Sequence, residues 1–151
     1  METEQNDTVD ATFKDVDRKI YDSPILLVDD EEDILAVFKL ILQSEGYSKI
    51  DAFSSSKKAL DHISSLEYLF YYKLALIDIK MPEIDGEKLF EKLKTINPIL
   101  KVLFVTSFDN VNDLIKHHPE IARKDILRKP LESDEFIKII NYNLTNKGLN
   151  D

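Results

Sequence analysis

A chain of 151 residues with 43% hydrophobic and 32% charged content can bury one core and is too short for two ordinary domains. Its formal charge of −9 repels phosphate backbones and anionic headgroups, so neither direct nucleic-acid binding nor membrane binding is expected. The absence of Cys excludes disulfides, thiol nucleophiles and thiolate zinc sites, and fits a reduced, cytoplasmic setting.

Residues 1–22 carry many acids and only scattered apolar residues (Val9, Phe13, Val16, Ile20), which predicts a disordered or weakly helical acidic arm with a boundary near Ser23-Pro24. The opening residues lack the basic-then-apolar order of a secretory signal. Beyond the boundary, short continuous apolar runs alternate with longer stretches of helical period. Ile25–Val28, Lys49–Phe53, Leu74–Ile77, Val102–Val105 and the weaker Ile126-Leu127 read as buried strands.

Between the first two strands, Ile34, Leu35, Phe38, Ile41 and Leu42 share one helical face, and Gly46 stands where a C-terminal cap is expected. Later helices run through Ala59, Leu60, Ile63 and Leu66, through Leu89, Phe90 and Leu93, and through Phe136, Ile137, Ile140 and Leu144. A fourth, weaker helix carries Val111, Leu114 and Ile115 and should end at His117-His118-Pro119. This βαβ alternation predicts an α/β fold, a parallel sheet covered by helices on both faces.

In such sheets the working groups gather at the carboxyl ends of the strands. Asp29-Asp30 end the first strand, Asp78 the third and Thr106-Ser107 the fourth, and Lys129-Pro130 follow the fifth. Singly, each has an ordinary structural use as a helix cap, a turn residue or a solvated lysine. Together they deliver three acids, a hydroxyl and an ammonium to one edge. Converging carboxylates require a cation, and oxygen ligation suits Mg²⁺. A carboxylate is also a nucleophile toward phosphorus, and cation, lysine and hydroxyl would stabilise the phosphoryl oxygens.

The set Leu26-Leu27-Val28-Asp29-Asp30, Ala75-Leu76-Ile77-Asp78-Ile79-Lys80-Met81-Pro82-Glu83-Ile84-Asp85-Gly86, Val105-Thr106-Ser107 and Arg128-Lys129-Pro130 resembles the response-regulator receiver domain of two-component signalling. The resemblance implies a doubly wound, flavodoxin-like fold over residues 23–151, with a five-stranded parallel sheet in the order 2-1-3-4-5 flanked by five helices. It makes Asp78 the phosphoacceptor and Asp30 a direct Mg²⁺ ligand, with Asp29 acting through metal-bound water and the backbone carbonyl of Lys80 completing the set. Thr106 would bind the phosphoryl group, and Lys129 would pair with it, or with Asp78 beforehand, next to a cis Lys129-Pro130 peptide.

Implied partners are a sensor histidine kinase or phosphotransfer protein, and a downstream protein whose binding changes on phosphorylation. The chain would then be a stand-alone signalling protein that catalyses its own aspartyl phosphorylation and dephosphorylation. Ile126, three residues before Lys129, replaces the family's usual switch aromatic, which leaves open a receiver-like module that works without phosphorylation. Enzymes that use an aspartyl-phosphate place a second acid two residues after the nucleophile, where this chain has Lys80. Phe108, two after Thr106, is expected to shield the phosphoryl group from water. The pair His117-His118 is expected at the surface, and Tyr68–Tyr72 is expected to pack on the core as a helix end and strand lead-in.

Overall fold

The computed structural model of the chain describes residues 19–107 and 111–145. In chain order these form β1 (Ile25–Val28), α1 (Glu32–Glu45), β2 (Ile50–Phe53), α2 (Ser56–Ile63), β3 (Leu74–Ile77), α3 (Gly86–Ile96), β4 (Lys101–Thr106), α4 (Val111–His117), β5 (Ile126–Arg128) and α5 (Ser133–Leu144). A 3₁₀ turn, Arg123–Asp125, leads into β5. The strands are all parallel, in the expected order β2-β1-β3-β4-β5.

The continuous apolar runs follow from a sheet buried on both faces, because alternate residues of each strand enter opposite layers. Leu26, Val28, Ala75, Ile77, Val102, Phe104 and Ile126 pack with α2, α3 and α4. Their neighbours Ile25, Leu27, Leu74, Leu76, Leu103, Val105 and Leu127 pack with α1 and α5. In the second layer Phe38 of α1 stacks on Phe136 of α5 at 4.7 Å between ring centroids, locking the two helices together.

Helix boundaries follow local chemistry. Gly46 ends α1 at φ 127°, donating its N–H to the carbonyls of Leu42 and Gln43, as the sequence predicts. Asp85 caps α3 by accepting from Lys88 N at 2.9 Å. Leu66, read as part of the second helix, lies beyond its end and is 90% exposed. There the Ser64 N–H and the Ser65 hydroxyl bond back to the carbonyls of Leu60 and His62, closing the helix before Leu66. Tyr68, Tyr71 and Tyr72 pack on the three-helix layer as expected, but Phe70 in the same stretch turns outward and is 64% exposed.

At the N-terminal boundary, residues 19–21 are helical, a helical segment beyond the five expected. Ile20 and Tyr21 pack on the two-helix layer, and the Tyr21 ring meets Tyr47 edge-on at 4.9 Å. Ile20 and Tyr21 thus pack on the domain. The expectation of disorder for residues 1–18, and the placement of Phe108, lie outside the described residues. Among the described residues, no helix is long and apolar enough to cross a membrane.

Candidate functional site at the carboxyl edge of the sheet

Register brings the candidate residues together. Val28 is level with Ile77, and Ile77 with Phe104, so Asp29 and Asp78 leave adjacent strands side by side and Thr106 follows on the next one. Lys129 comes one residue beyond β5, where its N–H donates to the Thr106 carbonyl at 2.9 Å. The Lys129-Pro130 peptide is cis.

Asp29 and Asp78 are buried, at 3% and 6% exposure, whereas Asp30 is exposed. Carboxylate oxygens of Asp29, Asp30, Glu31 and Asp78 all lie within 4.8 Å of one another. Lys129 Nζ reaches into this group, 2.8 Å from Asp29 Oδ2, 3.4 Å from Asp78 Oδ2 and 3.5 Å from Glu31 Oε1. One cation thus serves three anions, and an oxygen-lined pocket with surplus negative charge fits a hard divalent ion such as Mg²⁺.

The electrostatics express the same crowding. Burial, and then the charge of Asp29, raise the Asp78 pKa above the ordinary aspartate value; Lys129 and the Ile79 N–H, which donates to Asp78 Oδ1 at 2.8 Å, oppose the rise. For Lys129, burial lowers the pKa, but the hydrogen bond to Asp29 and the charges of Asp29, Asp78 and Glu31 outweigh it and leave it raised. Thr106 is 1% exposed, and its hydroxyl has no hydrogen-bond partner. A buried donor without an acceptor is costly, and it is poised for an oxyanion brought to the strand end.

The loop from β3 to α3 holds the remaining parts. The Lys80 side chain is exposed beside Ile79. Glu83 adopts φ 64°, in the left-handed region, where the loop turns back. Gly86 then docks against the strand end, donating its N–H to the Ile79 carbonyl at 2.7 Å. A Cβ on Gly86 would fall 2.0 Å from the Asp78 carbonyl oxygen, so only glycine fits.

Two features differ from the sequence reading. Glu31 joins the carboxylate group although it is not among the strand-end candidates; its signal was its place directly after Asp29-Asp30 at the start of α1. His118, expected at the surface, keeps only 12% of its side chain exposed and turns toward α3. Ile126 is buried in the three-helix layer beside Val111 and Leu114 of α4.

A family profile described as the response regulator receiver domain matches residues 25–141. Sporulation initiation phosphotransferase F of Bacillus subtilis is 28% identical over 112 residues, covering 74% of this chain and 86% of that protein. The uncharacterized transcriptional regulatory protein YkoG of Bacillus subtilis is 29% identical over 124 residues, 82% of this chain but 52% of that protein, so the chain spans about half its length. Among solved structures, a response regulator receiver domain protein from Clostridium thermocellum superposes with a TM-score of 0.73 at 28% identity, covering 85% of this chain and 99% of that one.

Proposed function

We propose a function from one premise: the chain belongs to the family of response regulator receiver domains. It is therefore a signalling domain built as a phosphoacceptor switch, and we infer the roles of its residues as follows. Asp78 is the acceptor. One of its carboxylate oxygens attacks the phosphorus of a phosphohistidine on a sensor kinase or phosphotransfer protein. The O–P bond forms as the P–N bond breaks, and the imidazole nitrogen leaves with the electron pair and takes up a proton from solvent.

The observation that carries this reading is the Lys129 ammonium held between Asp29 and Asp78 at one strand edge. Lys129 is placed to pair with a phosphoryl oxygen once Asp78 is esterified, and the unpartnered Thr106 hydroxyl donates to another. Asp29, Asp30 and Asp78, with the Lys80 carbonyl, are the residues that would hold Mg²⁺, which supplies neutralising charge to the phosphoryl oxygens when bound. By the family resemblance, the positions two after Asp78 and two after Thr106, Lys80 and Phe108 here, flank the path of the attacking water, and Phe108 is assigned to prolonging the phosphorylated state.

The acidic chain is proposed to act in the cytoplasm through protein partners rather than by touching DNA itself. The output is a change in affinity for a downstream protein. Incubation with Mg²⁺ and a small phosphodonor, followed by intact-mass measurement, tests the reading. A phosphate-sized gain absent from Asp78→Asn is expected. No gain in the parent chain would overturn it in favour of a module that works unphosphorylated.

A further inference from the structure

On the flank of α3 that faces α4, beside the buried Phe90, Glu87 and Glu91 stand one turn apart. Facing them is His118, one residue beyond the end of α4. Its Nε2 lies 3.2 Å from Glu87 Oε1 and 3.3 Å from Glu91 Oε1. On its other side Nδ1 lies 3.2 Å from Glu120 Oε1, and the ring edge rests on Phe90 at 5.4 Å. His117 joins from the solvent side, its Nδ1 2.9 Å from the same Glu87 oxygen.

The contacts at Nε2 are not hydrogen bonds. The atom is buried and has no hydrogen-bond partner, so both carboxylate oxygens lie off the direction in which an N–H would point. In the tautomer whose Nδ1–H donates to Glu120, Nε2 turns its lone pair into the space beside the two carboxylates. That arrangement is repulsive unless a proton or a metal cation occupies the space. The spacing is informative too: ligand bonds of about 2.0–2.1 Å in a tetrahedral zinc site put donor atoms roughly 3.3–3.4 Å apart. The two Nε2 to oxygen separations of 3.2 and 3.3 Å sit close to that edge length.

We propose that Glu87, Glu91 and His118, whose ligand atoms all lie within 4.8 Å of one another, form a second metal site, for Zn²⁺ or a divalent ion of the same mixed imidazole and carboxylate preference, with water in the fourth position. The donor set separates it from the carboxylate pocket at Asp78, which has no imidazole and suits Mg²⁺. Glu120 holds the His118 ring in the tautomer that ligation needs, the usual office of an acid behind a metal-binding histidine. An ion there would fasten the end of α4 to α3, the two helices that follow Thr106 and Asp78. The site would therefore restrain the elements closest to the acceptor without touching it.

The test is calorimetric titration of the full chain with Zn²⁺ at saturating Mg²⁺, so that the Asp78 pocket is already filled. One site per chain is expected, weakened at least ~10-fold by Glu91→Gln and by His118→Gln, since each removes a direct ligand. Asp30→Asn should leave it unchanged. Co²⁺ should give the intense visible bands of a tetrahedral site in the parent chain and lose them in the same two variants. Glu91 is an exposed residue, so its variant is expected to fold whatever happens to His118→Gln. No Zn²⁺ binding, binding indifferent to Glu91→Gln, or binding lost in Asp30→Asn would overturn the proposal. The site does not depend on the phosphoacceptor reading, and Asp78→Asn, which abolishes that activity, should still bind Zn²⁺.

Discussion

Lys129 Nζ lies 2.8 Å from Asp29 Oδ2, closer than its 3.4 Å approach to Asp78. Before phosphorylation, the ammonium is thus held first by the acid of the neighbouring strand. Removing that acid should return the lysine to Asp78 and take away a charge that raises its pKa. In metal-free Asp29→Asn, the Asp78 carboxyl followed by ¹³C NMR should titrate lower than in the parent; an unchanged midpoint would mean that burial alone sets it.

The raised Asp78 pKa also has a stability sign. A group raised on folding contributes fully below its unfolded value, near 3.8, and the contribution is lost as pH climbs through the folded pKa. Asp78→Asn carries no such loss. In urea melts without metal, the variant should gain on the parent as pH rises from 4 toward neutrality, and a gain that shrinks over that range would contradict the assignment.

Mg²⁺ should relieve the same repulsion. At a concentration ~100-fold above its dissociation constant, an ion that binds only the folded chain adds about 2.7 kcal/mol. The melting temperature should rise by several degrees in Mg²⁺ relative to EDTA, and Asp30→Asn should remove most of that response. Equal melting curves with and without the ion in the parent would count against the pocket.

Thr106 is expected to split stability from function. Its buried hydroxyl lacks a partner, so Thr106→Val should leave the unmodified fold as stable or gain up to about 1 kcal/mol by removing the orphaned group. Phosphorylation from a small donor should still slow, because one donor to the phosphoryl oxygens is gone. A loss of stability in denaturant melts would show that the hydroxyl is satisfied in solution.

Tyr72 supplies an alkaline probe of the opposite edge. It is 2% exposed and donates its hydroxyl to Asp51, and burial first, then Asp51, push its pKa well above the ordinary tyrosine value of 10.0. The raised value means full stability below pH 10 and a progressive loss above it, as the unfolded chain ionises. Tyr72→Phe should cost about 1 kcal/mol near neutral pH and flatten the fall in stability between pH 9 and 11. A slope identical to that of the parent would place the titration elsewhere, with the similarly raised Tyr47 the first suspect.

Strand positions and the carboxyl-edge gathering of Asp29, Asp78, Thr106 and Lys129 were legible because a two-faced buried strand writes itself as an unbroken apolar run, whereas the strand order followed only from the family resemblance. The acids that end those runs then mark the edge directly. The geometry among them was not legible. Lys129 and Asp29 are a hundred residues apart in the chain, and nothing local decides which acid holds the ammonium. Likewise, Tyr21 and His118 sit in polar contexts that read as solvated, and tertiary neighbours, Tyr47 for one and α3 for the other, turn them inward.

Gly86 lies eight positions after Asp78, yet the space it leaves empty belongs to that residue's own carbonyl. Any L side chain at 86 would have to lever the end of β3 away from the helix, and the lever arm runs through the peptide that carries the Asp78 carboxylate. The aim of the carboxylate proposed as acceptor is thereby fixed by an atom that is missing. A substitution there should behave as an aiming defect: Asp78 stays accessible, but the phosphorus arrives at an oxygen pointed the wrong way and Mg²⁺, which shares that carboxylate, is held more weakly.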